Sequence, residues 1–191
     1  ASVGQGVLMA HYTRAFGGYD ITVGQVLLTV ADVVRRAHHR NVQRSLERLL
    51  ALGVLPVINE NDVVATQEIK FGDNDRLAAL VSHLTRADAL VLLTDVDALY
   101  DRSPRLPGAR RIDRVRDPAD LEGIEVRARG GLVGTGGMVS KLESAAIASE
   151  AGIPVVVTAA PNAGAVLAGE DVGTWFEPAP RRTNARRLWL A

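Results

Sequence analysis

No cysteine occurs in the sequence, which excludes a disulfide framework, a thiolate metal site and a thiol nucleophile, and fits a cytoplasmic protein. Neither sign of charge is in excess. The 22 basic and 22 acidic side chains cancel, so no global field invites nucleic acid or an anionic membrane. Aromatic residues make up only 4%, which further disfavours a nucleic-acid module. No apolar run approaches membrane-spanning length, and nothing reads as a signal peptide. Lysine is nearly absent too: only Lys70 and Lys141 are lysines, and every other basic position is arginine. What is present is a 47% apolar chain of 191 residues, enough for one α/β domain with a real core.

The apolar pattern alternates between two periods. Val3, Val7, Leu8, Ala10 and Tyr12 predict a first helix over residues 2–16, ending near Gly17-Gly18. Alternation through Tyr19, Ile21, Val23, Gln25 and Leu27 predicts a strand. Asp32 is expected to cap one long helix through about Leu52, closed by Gly53. Within it, His38 and His39 lack a carboxylate or third histidine at ligand spacing, so they read as surface or packing residues. The continuous runs Val54-Leu55-Pro56-Val57-Ile58, Ala89-Leu90-Val91-Leu92-Leu93 and Ile153-Pro154-Val155-Val156-Val157 read as parallel strands buried on both faces. Helices are expected over about 75–85, from the glycine loop of residues 134–141 through Glu150 with Gly152 closing it, and from Asn162 to Leu167. Residues 100–133 read as irregular, with a short strand at Ile112–Val115 and a helical turn at Pro118–Leu121. Gly173-Thr174-Trp175-Phe176 reads as a last short strand before an arginine-rich tail.

Polar residues collect where strands end and helices begin. Asn59-Glu60-Asn61-Asp62 follows one strand, and Gly72-Asp73-Asn74-Asp75 opens the next helix. In open α/β sheets ligands bind at such positions. Carboxylates and amide dipoles together suit a ligand bearing ammonium and carboxylate groups. Asn and Asp also bond their neighbouring backbone, so turn chemistry explains the same residues equally well. A calcium loop is a poorer fit, because a frame starting at Asp73 puts Ala78 at the glycine position and Leu84 at the terminal Glu position. Thr94-Asp95 emerges at another strand end, where a capped turn is the alternative.

Gly134-Thr135-Gly136-Gly137-Met138-Val139-Ser140-Lys141 opens a helix. Such a loop presents backbone N–H groups and a positive dipole end, a natural anion site. A flexible turn is the plainer reading. The Walker A and dinucleotide patterns both fail, because Lys141 does not directly follow the glycines and Val139 stands where a third glycine belongs. Lys141 itself argues for the anion: a compact, mobile charge suits a phosphate that moves during reaction.

Taken in order, the segments Pro56 to Asp62, Glu68 to Asp75, Leu93 to Tyr100 and Gly134 to Lys141 resemble those of the glutamate 5-kinases, within the amino-acid kinase superfamily. Gly4-Gln5 and Thr22 to Leu28 fit as well, and the resemblance runs to about Trp189. It implies a three-layer αβα sandwich with a mainly parallel sheet. It implies transfer of the ATP γ-phosphoryl group, with Mg²⁺, to the side-chain carboxylate of L-glutamate, the first step of proline biosynthesis. Asp62 and Asn74, with Asp73 beside them, match substrate-binding positions, and Asp75 matches an Asp that organises catalytic lysines. Thr94, Asp95, Thr135, Gly136, Gly137, Met138, Val139, Ser140 and Lys141 match nucleotide-binding positions, with Lys141 on the phosphates. No metal ligand is assigned to the protein's own side chains. The resemblance further implies a homo-oligomer, feedback inhibition by proline and coupling to glutamyl phosphate reductase.

The sequence departs from the family in its front end. A strand with a Lys-Gly-Ser-type phosphate loop and a Ser-Ser-Gly-Ala segment are expected before Ala1, so the kinase domain, residues 1–180, is expected to be N-terminally incomplete and inactive by itself. Residues 181–191 are expected to be a linker towards a PUA-type domain. A non-catalytic fragment that binds glutamate, proline or nucleotide is the competing reading.

Overall fold

The computed structural model describes residues 2–63, 74–121 and 137–180. The chain divides into two compact units, residues 1–77 and 78–191. Asp73, Thr135, Gly136 and the 181–191 tail lie outside the described residues.

The first unit is a strand–helix–strand built on a parallel pair. Helix α1 (Ser2–Gly17) leads through a turn into β1 (Thr22–Leu28), and α2 (Val30–Val34), α3 (Arg36–Ala51) and β2 (Val54–Glu60) follow. β1 and β2 pair in parallel from Thr22↔Val54 to Leu28↔Glu60. Among the described residues Leu28, Val33, Leu46 and, at the unit's end, Leu77 are its buried apolar side chains. Gly53, at φ 70°, ends α3 as the left-handed residue that a helix stop favours. Its mate β2, expected to be buried, is half-buried along its whole length. Among the described residues its sheet has only two strands, so one edge of β2 has no strand partner.

The long helix expected after Asp32 is two helices, parted at Arg35, whose φ −75° and ψ 122° are extended. Asp32 is not the N-cap. Thr29 is, and Asp32 stands at the third helical position, completing a reciprocal capping box. The Thr29 N–H and hydroxyl donate to Asp32 Oδ2 at 2.9 and 2.6 Å. His38 Nδ1 lies 3.2 Å from Asp32 Oδ1. His39 is half-buried, and burial pushes its pKa down.

Helix α4 (Asn74–Thr85) spans the division between the units. In the second unit follow β3 (Leu90–Thr94), β4 (Leu99–Tyr100), β5 (Arg111–Ile112) and β6 (Arg114–Val115). After a 3₁₀ turn at Pro118–Leu121 come α5 (Met138–Glu150), β7 (Val155–Ala159), α6 (Ala163–Leu167) and β8 (Thr174–Phe176). The main sheet has the order β3-β7-β8-β6. β3·β7 and β6·β8 are parallel, and β7·β8 is antiparallel. Leu90, Leu92, Val155 and Val157 alternate onto one face, where Ala79 of α4, Ala145 and Ala148 of α5 and its C-cap Ala151 join the core. β7, flanked on both edges, is buried from Val155 to Thr158, whereas β3, paired on one edge only among the described residues, leaves Leu93 43% exposed.

The strand expected at Ile112–Val115 is two short pairings parted at Asp113. Arg111–Ile112 forms a hairpin with β4, and Arg114–Val115 joins β8. The Thr174 hydroxyl, fully buried, holds the hairpin from behind: it accepts from the Leu99 N–H at 2.8 Å and donates to the Ile112 carbonyl at 2.6 Å.

Candidate functional site

Two groups of polar residues occupy strand ends, one in each unit. In the first unit, β2 delivers Glu60, and the Asn61 N–H donates to the Leu28 carbonyl at 2.8 Å, so the chain stays beside β1 as it leaves the sheet. There Glu60, Asn61, Asp62 and Val63 line a cavity of about 220 Å³ with Ser2, Gln5, Gln25 and Leu27. Gln25 Nε2 donates to Gln5 Oε1 at 2.8 Å across its wall. The cavity therefore joins two carboxylates and three carboxamides. Such a set can receive an ammonium group and orient a zwitterion. Asn74 and Asp75 open the first turn of α4 and do not line this cavity.

In the second unit, β3 and β7 run parallel, so Thr94 and Ala159 finish side by side. Helix α5 runs back between them. Its last turn is closed by Gly152, at φ 80°, with Ile153 and Pro154 leading from there into β7. The C-terminus of α5 thus lies at the amino end of β7, and its length of about 20 Å carries its N-terminus to the carboxyl end. By this connectivity Thr94-Asp95 and the Gly137 to Lys141 turn share one end of the sheet. Gly137 is the N-cap in extended conformation, with no side chain to satisfy the first N–H groups. The Lys141 N–H donates to the Gly137 carbonyl at 3.3 Å, and the Ser140 hydroxyl donates to the same oxygen at 3.0 Å. Met138, Val139, Ser140 and Lys141 are all half-buried. No acidic residue stands in that first turn, so its positive end is uncompensated by charge on the helix itself.

Four hydrogen bonds hold the loop that follows β3. Thr94 Oγ1 donates to Asp95 Oδ1 at 3.1 Å. The Tyr100 hydroxyl donates to the Asp97 carboxylate at 3.1 and 3.3 Å. Burial first, then the Asp97 bond and charge, push the Tyr100 phenol above its ordinary value. The Asp97 carbonyl accepts from the buried Thr158 hydroxyl at 3.0 Å, and Asn162 Nδ2 donates to that hydroxyl at 3.1 Å. Sequence reasoning passed over Gln5, Gln25, Thr158 and Asn162 as site residues. For Gln25 a signal existed, since a carboxamide interrupts an otherwise apolar strand. Thr158 gave none, because a threonine at a strand's end is ordinary β chemistry.

Comparison with known proteins gives a consistent result. The model of the family described as "Amino acid kinase family" matches residues 1–159. Over its whole length the chain is 59% identical to the glutamate 5-kinase of Streptomyces coelicolor, of which it covers 51%. It is 58% identical to that of Thermobifida fusca, covering 50%, and 56% identical to that of Bifidobacterium longum, covering 51%. The chain spans about half the length of these curated relatives. Carbamate kinase from Giardia lamblia, in a structure bound to AMP-PNP, superposes with a TM-score of 0.62 at 16% identity, over 87% of this chain and 66% of that one. That likeness concerns the fold. No described helix is long and apolar enough to cross a membrane.

Proposed function

The chain belongs to the amino acid kinase family, and we propose that the protein it forms transfers the γ-phosphoryl group of ATP to the side-chain carboxylate of L-glutamate, giving glutamyl 5-phosphate and ADP. What carries this reading is that the similarity to glutamate 5-kinases extends over every residue of the chain, both polar clusters included.

The chemistry suits the residues. A glutamate side chain, with an ordinary pKa of about 4.3, is already ionised at neutral pH. Its oxygen attacks the γ-phosphorus while the bond to the β-phosphate oxygen breaks and the electron pair leaves with ADP. No general base is needed, so no Ser–His or Cys–His pair is called for. The work reduces to alignment and charge neutralisation. The cavity of Gln5, Gln25, Glu60, Asn61 and Asp62 suits the α-ammonium and α-carboxylate of the acceptor. The N-terminal turn of α5, with Lys141, suits the nucleotide phosphates. Asp75 is assigned the orientation of catalytic lysines, and Asp73 and Asn74 contacts with glutamate. Mg²⁺ would supply charge neutralisation at the nucleotide phosphates; no cluster of three or more carboxylate or imidazole ligands stands among the described residues, so the nucleotide itself would hold most of its coordination.

The test is glutamyl-hydroxamate formation from ATP, Mg²⁺, L-glutamate and hydroxylamine, run on the full-length protein and on these 191 residues. Hydroxamate from the full-length protein, dependent on both substrates, is the expected result. Binding of glutamate without hydroxamate, or phosphorylation of a different acceptor, would overturn the assignment.

A further inference from the structure

We propose that Thr158 is a positioning residue for the nucleotide: its hydroxyl fixes the Asp97 carbonyl and thereby the Thr94–Asp97 loop against which ATP is bound. The proposal rests on the kinase reading above and adds to it a residue that touches neither substrate.

Thr158 is fully buried at the carboxyl end of β7, the central strand on that side of the sheet. Its proton has one place to go. Asn162 Nδ2 can only donate, and it points at Thr158 Oγ1 from 3.1 Å. A backbone carbonyl can only accept, and that of Asp97 lies 3.0 Å away on the other side. The hydroxyl is therefore a directed relay between the loop after β7 and the loop after β3, 61 residues earlier in the chain. Without it the Asp97 carbonyl would lose the side-chain donor that ties it to the sheet.

The side chain cannot move away to relax the arrangement. A Cβ on Gly173, which has φ 80°, would come within 2.7 Å of Thr158 Cβ and 2.5 Å of the Val157 carbonyl, so the backbone of the residue just before β8 is packed directly against β7 at this point. Asp97 is held a second time, through its carboxylate, by the Tyr100 hydroxyl. Two residues further on, the Leu99 N–H donates to Thr174. The loop is thus clamped at residues 97 and 99 from inside the sheet, while Asp95 and Asp97 keep exposed side chains. A loop fixed by interior bonds and exposed on its outer side presents a pre-set surface, so a ligand bound there need not order it.

The experiment compares Thr158→Val and Thr158→Ser in the full-length protein, with steady-state kinetics in both substrates and calorimetric titration with ATP and Mg²⁺. Valine keeps the shape and removes the hydroxyl, and serine restores it. Loss of one directed hydrogen bond should raise the KM and Kd for ATP by about three- to tenfold. The KM for glutamate should stay within about twofold, and Thr158→Ser should return the ATP constants to near those of the unsubstituted protein. Should Thr158→Val fail to fold, Asn162→Ala keeps Thr158 and removes only the group that directs its proton; a smaller rise, about twofold, confined to ATP is then expected. Equal ATP constants in the folded variants, or parallel changes in both substrates, would overturn the proposal and leave the kinase reading intact. ATP binding that weakens as described in a protein forming no glutamyl hydroxamate would overturn the kinase reading and leave the role of Thr158. No ATP binding by the unsubstituted protein would remove both.

Discussion

The two units start from the same plan and reach different degrees of closure. Each contains a parallel strand pair joined through helix, β1·β2 in one and β3·β7 in the other. Each strand reads in the sequence as a short apolar run. Yet β7 buries four consecutive residues, while β2 buries none fully. Hydrophobicity does not separate them, since Val54-Leu55-Pro56-Val57-Ile58 is as apolar as Ile153-Pro154-Val155-Val156-Val157. Neighbours do. β7 lies between β3 and β8 under alanine-rich stretches of α4 and α5, whose small side chains let backbone approach the sheet. β2 has β1 on one edge and no strand on the other among the described residues. An apolar run thus specifies a strand, and its burial is set by what the rest of the chain brings to its edges.

Glycines make the sharpest way to break that comparison. Gly173 has φ 80°, and a Cβ there would sit 2.5 Å from the Val157 carbonyl oxygen, a backbone atom that cannot turn aside. Gly173→Ala should cost about 3 kcal/mol or more, from left-handed backbone strain and overpacking together. Gly24 in β1 is the counterpart. Its Cβ would meet Val54 Cγ1 at 3.0 Å and Leu49 Cδ2 at 3.7 Å, side-chain atoms that can shift. Gly24→Ala should cost about 1 kcal/mol or less. Urea denaturation of both variants measures the difference, and equal midpoints would mean that the second unit yields as readily as the first.

Function should divide along the same line. Under the proposed function, in which Lys141 of the second unit contacts the phosphates, Lys141→Ala should lower kcat by about a hundredfold or more, with little change in the KM for glutamate. With Asp62 in the cavity of the first unit, Asp62→Ala should raise the KM for glutamate by about tenfold and leave that for ATP nearly unchanged. Kinetics in both substrates check the pair. An unchanged glutamate KM in Asp62→Ala would remove Asp62 from the acceptor site.

What was legible in the sequence follows the range of the forces involved. Strands and helices carried by their own apolar period were legible, as were the stops at Gly53 and Gly152, because one residue's φ decides each. The break at Arg35 was not. It is accompanied by an alternative placement of the cap, in which Thr29 and Asp32 satisfy each other and α2 ends after five residues. The hairpin of β4 and β5 was hidden for a different reason: two-residue strands have no period to read, and Thr174, more than sixty positions after Ile112, holds them. The same distinction runs through the two candidate sites. Asp62, Thr94, Asp95 and the Gly137 to Lys141 turn stand in recognisable local contexts. Gln5, Gln25 and Thr158 bond partners distant in sequence, which only the fold brings to them, and Asn162 enters through its local bond to Thr158.

The smallest expected effect tests that capping box. Burial pushes the Asp32 carboxyl up, but the Thr29 hydroxyl and N–H, and then His38, outweigh it and hold the pKa below the ordinary aspartate value. The fold therefore favours the charged form. Its stabilisation is fully present above the unfolded pKa of about 3.9 and is lost as pH falls through the depressed folded value. Asp32 is a third exposed, and His38 nearly half, so solvent screening and the ordinary worth of a cap limit the contribution to about 1 kcal/mol or less. Asp32→Ala should lower the urea midpoint slightly at pH 7, and the gap should narrow towards pH 3. Because β1 passes directly through Thr29 into α2, the loss should fall on the less closed unit, seen as faster amide exchange in residues 30–51 than in β7. A gap of constant size across that pH range would assign the effect to packing of the side chain and remove its charge from the account.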